Sequence, residues 1–185
     1  YLGYGFVQMK QDLFKVYEVD DKYAQGASDA DLMIVDFNQF ECIHCRNLHF
    51  TLKEAIKIDG KVRYMPRFVT LNNQWSETLA TATYAAAEQN KFIEMQDAIY
   101  KNWPVASHDE LYLVARAIGL DIEQFKDDLN DADLIDRTRE DQAYFEDWFL
   151  KQIPALLIGK SRIYLPSTET VTVEELLEKF NQGRS

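Results

Sequence analysis

Cys42-Ile43-His44-Cys45 holds both cysteines of the chain, and its flanks leave few folds open. Upstream, Leu32-Met33-Ile34-Val35-Asp36-Phe37 is an almost continuous apolar run, the pattern of a strand buried on both faces. Downstream, Leu48, Leu52, Ala55 and Ile56 recur at helical spacing up to Asp59-Gly60, with glycine where it is favoured past a helix end. Val62 to Leu71 reads as a second strand, with Pro66 near its start. The motif therefore falls at the strand-to-helix turn of a βαβ unit, the setting in which a CxxC reads as a redox pair. Two cysteines this close enclose too short a loop to staple a domain, so a purely structural disulfide is the poorer reading.

The remaining chain surrounds that unit with more helix than strand. Residues 1–12 read as an N-terminal arm, Leu13 to Val19 as an edge strand, and Asp20 to Ala30 as a loop. Glu77 to Gln89 is an alanine-rich helix, and Phe92, Met95, Ile99 and Tyr100 mark the face of a second. Ser107 with Glu110, then Asp121 with Gln124, cap two more, the first of them ending at Gly119. A fifth helix runs from about Ala132 to Leu150. Ala155 to Ile158 and Arg162 to Leu165 flank Gly159-Lys160 as a hairpin, and Thr172 with Glu175 opens a last helix. The order is β-β-α-β, a helical block, then β-β-α.

Charge and hydropathy exclude some roles. With 31 acidic against 20 basic residues and a net charge of −11, no basic stripe exists to displace phosphate counterions, so nucleic acid is not a partner. No apolar run is long enough to span a bilayer, and no signal peptide opens the chain, as in an exported protein already processed. The absence of a third cysteine suits an oxidising compartment.

The nucleophile of thiol–disulfide exchange is a thiolate, so a working pair must lower one thiol pKa below about 8.5. Cys42 falls where the unpaired N–H groups and positive dipole end of a helix converge, which assigns it the attack. Cys45, one turn inward, resolves. His44, held between the sulfurs, offers a hydrogen bond or a positive charge to the thiolate. Asp36, on the strand feeding the motif, is a candidate proton acceptor with Arg67 as a candidate ion-pair partner. Glu41 reads as a solvated acid that mildly opposes the thiolate. Ile153-Pro154 opens a strand, where proline removes a ladder donor, and an X-Pro bond there can be cis. A cis bond would turn the Ile153 backbone toward an incoming peptide, and Ile153, Pro154 and Ile43 are the candidate substrate contacts.

Over about residues 13–181 the sequence resembles the thioredoxin superfamily and, within it, DsbA-like proteins. The resemblance rests on Val35-Asp36-Phe37…Cys42-Ile43-His44-Cys45, on Ala85 to Phe92, and on Ile153-Pro154-Ala155-Leu156-Leu157. It implies a thioredoxin fold, an α/β domain of βαβ and ββα halves around a mixed sheet, formed by residues 13–73 and 152–185, with 74–151 inserted as an all-helical domain. It also implies a cis proline packed against the active-site disulfide, Cys42 as attacking sulfur, Ile153 in the peptide site and Asp36 as the family's buried acid. Many members carry proline where this chain has Ile43.

The function so implied is a protein thiol:disulfide oxidoreductase whose only redox group is the Cys42–Cys45 disulfide, with no added cofactor or metal. It introduces disulfides into reduced or misoxidised exported proteins and is re-oxidised by a membrane-bound DsbB-like partner. The protein itself is periplasmic or otherwise exported, does not span the membrane, and is a monomer rather than a dimer. An isomerase or reductase carries the same four residues. From another class, Cys42, Cys45 and His49 present C-x2-C-x3-H as a metal-binding module, with His108 as a distant fourth ligand.

Overall fold

The computed structural model describes residues 13–26, 29–160, 162–166 and 170–185. The expected arm over residues 1–12 and the hairpin residue Ser161 lie outside the described residues. Strands β1 (Leu32–Asn38), β2 (Val62–Phe68), β3 (Ala155–Ile158) and β4 (Arg162–Tyr164) form one mixed sheet in the order β2-β1-β3-β4. β1 pairs parallel with β2, from Leu32↔Val62 to Asn38↔Phe68, and antiparallel with β3, from Ile34↔Ile158 to Phe37↔Ala155. Helix α1 (Ile43–Asp59) makes the crossover a parallel pair requires, and Gly60, at φ 74°, closes it in the left-handed region.

Side-chain alternation sorts β1 into two faces. Leu32 and Ile34 join Leu48, Leu52 and Ile56 of α1 and Leu176 and Phe180 of the last helix. Val35 and Phe37 face the other way, onto Val16, Phe145 and Leu150. Asp36 therefore shares the α1 face, beneath the helix that carries the cysteines.

Between β2 and β3 lie α2 (Gln74–Ala87), α3 (Phe92–Lys101), α4 (His108–Ala117), α5 (Ile122–Asp128) and α6 (Ala132–Asp147); α7 (Val173–Arg184) follows the hairpin. Local chemistry sets their starts. Ser107, Asp121 and Thr172 each accept from the amide three residues on, satisfying a donor the helix cannot. This block has its own core, with Leu79, Ala82, Met95, Ile99 and Leu111, and that core continues into Phe40, Cys45 and Phe68.

Three expectations need correction. Leu13 to Val19 is not an edge strand: Lys15–Tyr17 is a 3-10 turn. Its carbonyls bond to side chains instead of a ladder, with the Arg67 guanidinium donating to Val16 and Glu18 at 2.8 and 2.9 Å. The outer edge of β2 is met instead by a single bridge at Gln25↔Tyr64, inside the expected loop. β2 ends at Phe68 rather than Leu71, because Leu71 and Asn72 turn into positive φ and the Gln142 side chain accepts the Thr70 and Leu71 amides.

Candidate functional site

Helix α1 begins within the cysteine motif. Cys42 is its N-cap, in extended conformation, and its sulfur accepts the Cys45 backbone N–H at 3.2 Å. The thiols, both free, differ in exposure: Cys42 is half-buried, Cys45 buried. The Cys45 thiol donating to Cys42 pulls the Cys42 pKa down to about 7, and the Cys45 and His44 amides act in the same direction against burial and the nearby Asp36 carboxylate. Burial and the adjoining Cys42 sulfur push Cys45 far the other way. At neutral pH one sulfur is poised as thiolate while the other holds its proton.

Asp36 lies buried behind this pair. Its Oδ2 accepts the Tyr64 hydroxyl at 2.7 Å and the Asn38 side-chain amide at 3.2 Å, while Oδ1 has no partner among the described residues. Gln96 donates to Tyr64 at 3.1 Å, and Tyr100 donates to the Asn38 side-chain oxygen at 2.8 Å. Burial outweighs these bonds and lifts the Asp36 pKa to about 7. Tyr64, Asn38 and Gln96 were not singled out from sequence, and Tyr100 stood there only as part of the face of its helix. Alternation gives a signal for Tyr64, which sits opposite Ile34 on the Asp36 face, but Gln96 of α3 carries none.

Arg67 is not the partner of Asp36. Register places it opposite Phe37, on the other face, where it pairs with buried Asp141 of α6 at 3.2 Å. Asp141 also accepts the Tyr84 hydroxyl at 2.5 Å and the Phe68 amide at 2.9 Å. Glu41 is exposed, and the Ser76 hydroxyl lies 2.8 and 2.9 Å from its two carboxylate oxygens.

The Ala155↔Phe37 pair brings Ile153 and Pro154 to the end of the sheet from which the motif emerges. Ile153 is half-buried and packs, like Cys42, against the core that contains Phe40 and Cys45; Pro154 is buried. The Ile153-Pro154 bond is cis, and so is Trp103-Pro104, for which the sequence offered no sign. Ile43 and His44 are exposed on the first turn of α1, and His44 meets Cys42 through its backbone amide.

His49 does not join the cysteines as a ligand. Its ring is buried, with Nε2 2.8 Å from Asp97 and its plane tilted against Tyr100, and desolvation lowers its pKa. His108 stands edge-on to Trp75. Among the described residues no three His, Cys, Asp or Glu side chains gather to hold a metal.

Two cysteines at one helix N-terminus, on a mixed sheet in the order β2-β1-β3-β4, define the class of thioredoxin-fold proteins. The sequence profile of the family described as Thioredoxin matches residues 18–179, and the chain belongs to that family. Among solved structures it is similar to a thioredoxin-like oxidoreductase from Silicibacter pomeroyi, with a TM-score of 0.81 and 20% identity over 92% of this chain and 96% of that one. It is equally similar to the thiol-disulfide exchange protein alpha-DsbA2 from Wolbachia pipientis, with a TM-score of 0.81 and 22% identity over 95% and 94%. The fold is thus DsbA-like.

Among curated sequences, a Na(+)/H(+) antiporter NhaA 3 of Salinispora tropica is 28% identical over 122 residues, 65% of this chain and 19% of that protein. The chain spans about a fifth to a quarter of the curated relatives it matches. No helix among the described residues is long and apolar enough to cross a membrane.

Proposed function

We propose that this protein is a thiol–disulfide oxidoreductase cycling Cys42 and Cys45, working chiefly as an oxidase of exported proteins. The observation that carries the reading is the divided acidity of the pair, with Cys42 drawn down to about 7 and Cys45 pushed up beside it. In the oxidising direction a substrate thiolate attacks the Cys42 sulfur of the disulfide, forming a mixed disulfide and expelling Cys45 as a thiolate that takes up a proton. A second substrate thiolate then attacks the substrate sulfur of that mixed disulfide and releases the Cys42 thiolate. Two electrons pass from substrate to protein. Release is favoured because the low pKa makes Cys42 the better leaving group.

Asp36, held near neutrality and within electrostatic reach of both sulfurs, serves as the proton acceptor and donor for Cys45. Ile153, Pro154 and Ile43 contact the peptide, and His44 adds its imidazole to the thiolate's surroundings. The protein acts as an exported monomer, re-oxidised by a DsbB-like membrane partner, with no redox group besides its own disulfide. Residues 13–73 and 152–185 act as the catalytic domain and 74–151 as its helical insert.

The reduction potential against glutathione tests the direction. A value well above that of thioredoxin, about −270 mV, supports the oxidase, and one at or below it points to a reductase.

A further inference from the structure

The turn Gln39-Phe40-Glu41 leads into Cys42, and side chains of the helical block hold it at each residue. Tyr100 of α3 donates its hydroxyl to the Gln39 carbonyl at 3.3 Å, the same oxygen that accepts the Cys42 amide at 3.2 Å. Trp103, just past α3, donates its indole N–H to the Phe40 carbonyl at 2.9 Å. Ser76 of α2 is within hydrogen-bond reach of both Gln39 and Glu41 side chains. Arg46 of α1 answers in the other direction, donating to the Tyr100 carbonyl at 2.9 Å. Of these bonds the Trp103 one fixes the middle peptide of the turn. Phe40 is buried between Phe68 and Tyr100, both at 5.0 Å, so its carbonyl can turn toward water only by moving the turn.

We infer that Trp103 is a positioning residue of the redox site: its indole N–H locks the Phe40 carbonyl and so aims the α1 amides at the Cys42 sulfur. The inference rests on the proposed redox use of Cys42. Its physical basis is that the N-cap bond from the Cys45 amide needs Cys42 to enter the helix in extended conformation, and the preceding turn sets that entry. Releasing the Phe40 carbonyl loosens the turn, lengthens the amide–sulfur contact and makes the thiolate less favourable.

The molecule supplies its own control. Trp148 donates to the Leu13 carbonyl at 3.0 Å, the same kind of bond made away from the redox turn. The experiment is the pH dependence of iodoacetamide alkylation at Cys42, with the glutathione equilibrium of the pair at about pH 9, in Trp103→Phe and Trp148→Phe. In Trp103→Phe the alkylation midpoint rises by about half a pH unit and the pair becomes about threefold less oxidising, while Trp148→Phe stays at the wild-type values. An unmoved midpoint in Trp103→Phe, or equal shifts in both variants, overturns the positioning role. Should Trp103→Phe fail to fold, Tyr100→Phe removes the donor to the adjacent carbonyl and must shift the midpoint in the same direction. A wild type that forms no Cys42–Cys45 disulfide in glutathione buffers overturns the redox reading instead, and the alkylation midpoint still decides the role of Trp103.

Discussion

The Cys45 backbone N–H meets the Cys42 sulfur at 3.2 Å, so the residue that resolves also steadies the residue that attacks. The geometry is that of an N-cap with sulfur in place of oxygen. Alkylation of the reduced protein between about pH 5 and pH 9 therefore has one rapid site, Cys42. Its rate climbs about tenfold per pH unit and levels off above about 7. Mass spectrometry of the singly modified protein checks the site, and equal labelling of Cys45 would refute the assignment.

Replacing each cysteine separates the two roles. Cys42→Ser reduces dithiol turnover to the uncatalysed level. Cys45→Ser still lets Cys42 react but removes the sulfur that clears the intermediate, so mixed disulfides with substrates accumulate. Non-reducing gels after acid quenching distinguish these outcomes.

Asp36 gives a pH signature. Its folded pKa, raised from 3.8 to about 7, makes the carboxyl favour the fold while protonated, an advantage fully present below the unfolded value and lost as pH rises through about 7. Asp36→Asn removes that loss, so its stability relative to wild type improves by about 1–4 kcal/mol from about pH 4 to pH 8. Urea unfolding at both pH values measures it. The same substitution deletes a negative charge that opposes the Cys42 thiolate, so the Cys42 midpoint falls below its wild-type value.

Asp141 is buried and accepts from Arg67, Tyr84 and the Phe68 amide. Asp141→Ala leaves the Arg67 charge buried without its counter-ion and destabilises the protein by about 3–5 kcal/mol. Denaturant unfolding reads the loss. In the fraction that remains folded, Cys42 alkylation keeps its wild-type pH profile, because Arg67 and Cys42 lie toward opposite faces of the sheet.

What was legible in the sequence is what local chemistry decides. The caps at Ser107, Asp121 and Thr172, the stop at Gly60 and the doubly buried β1 all follow from neighbours within a turn or a strand. The cysteine pair was visible because its chemistry depends on spacing. The Leu13 to Val19 segment misled because its loose alternation is also that of a turn, and its hydrogen-bond partner, Arg67, is remote in sequence. Pairing Arg67 with Asp36 failed on register, since Phe37↔Arg67 puts the two on opposite faces, and register is not written in either strand alone. Tyr100 and Trp103 reach the redox turn through tertiary packing, for which one sequence holds no local sign.

The Arg67 guanidinium gathers the Val16 and Glu18 carbonyls before the sheet and the Asp141 carboxylate after most of the helical block. Two stretches far apart in the chain are thus pinned to one strand by one cation. Cutting out the helical segment would strand that cation in the interior, so the segment is not a detachable module. The expectation is that sheet, N-terminal turn and α6 unfold in one cooperative transition, although the chain topology draws them as separate pieces.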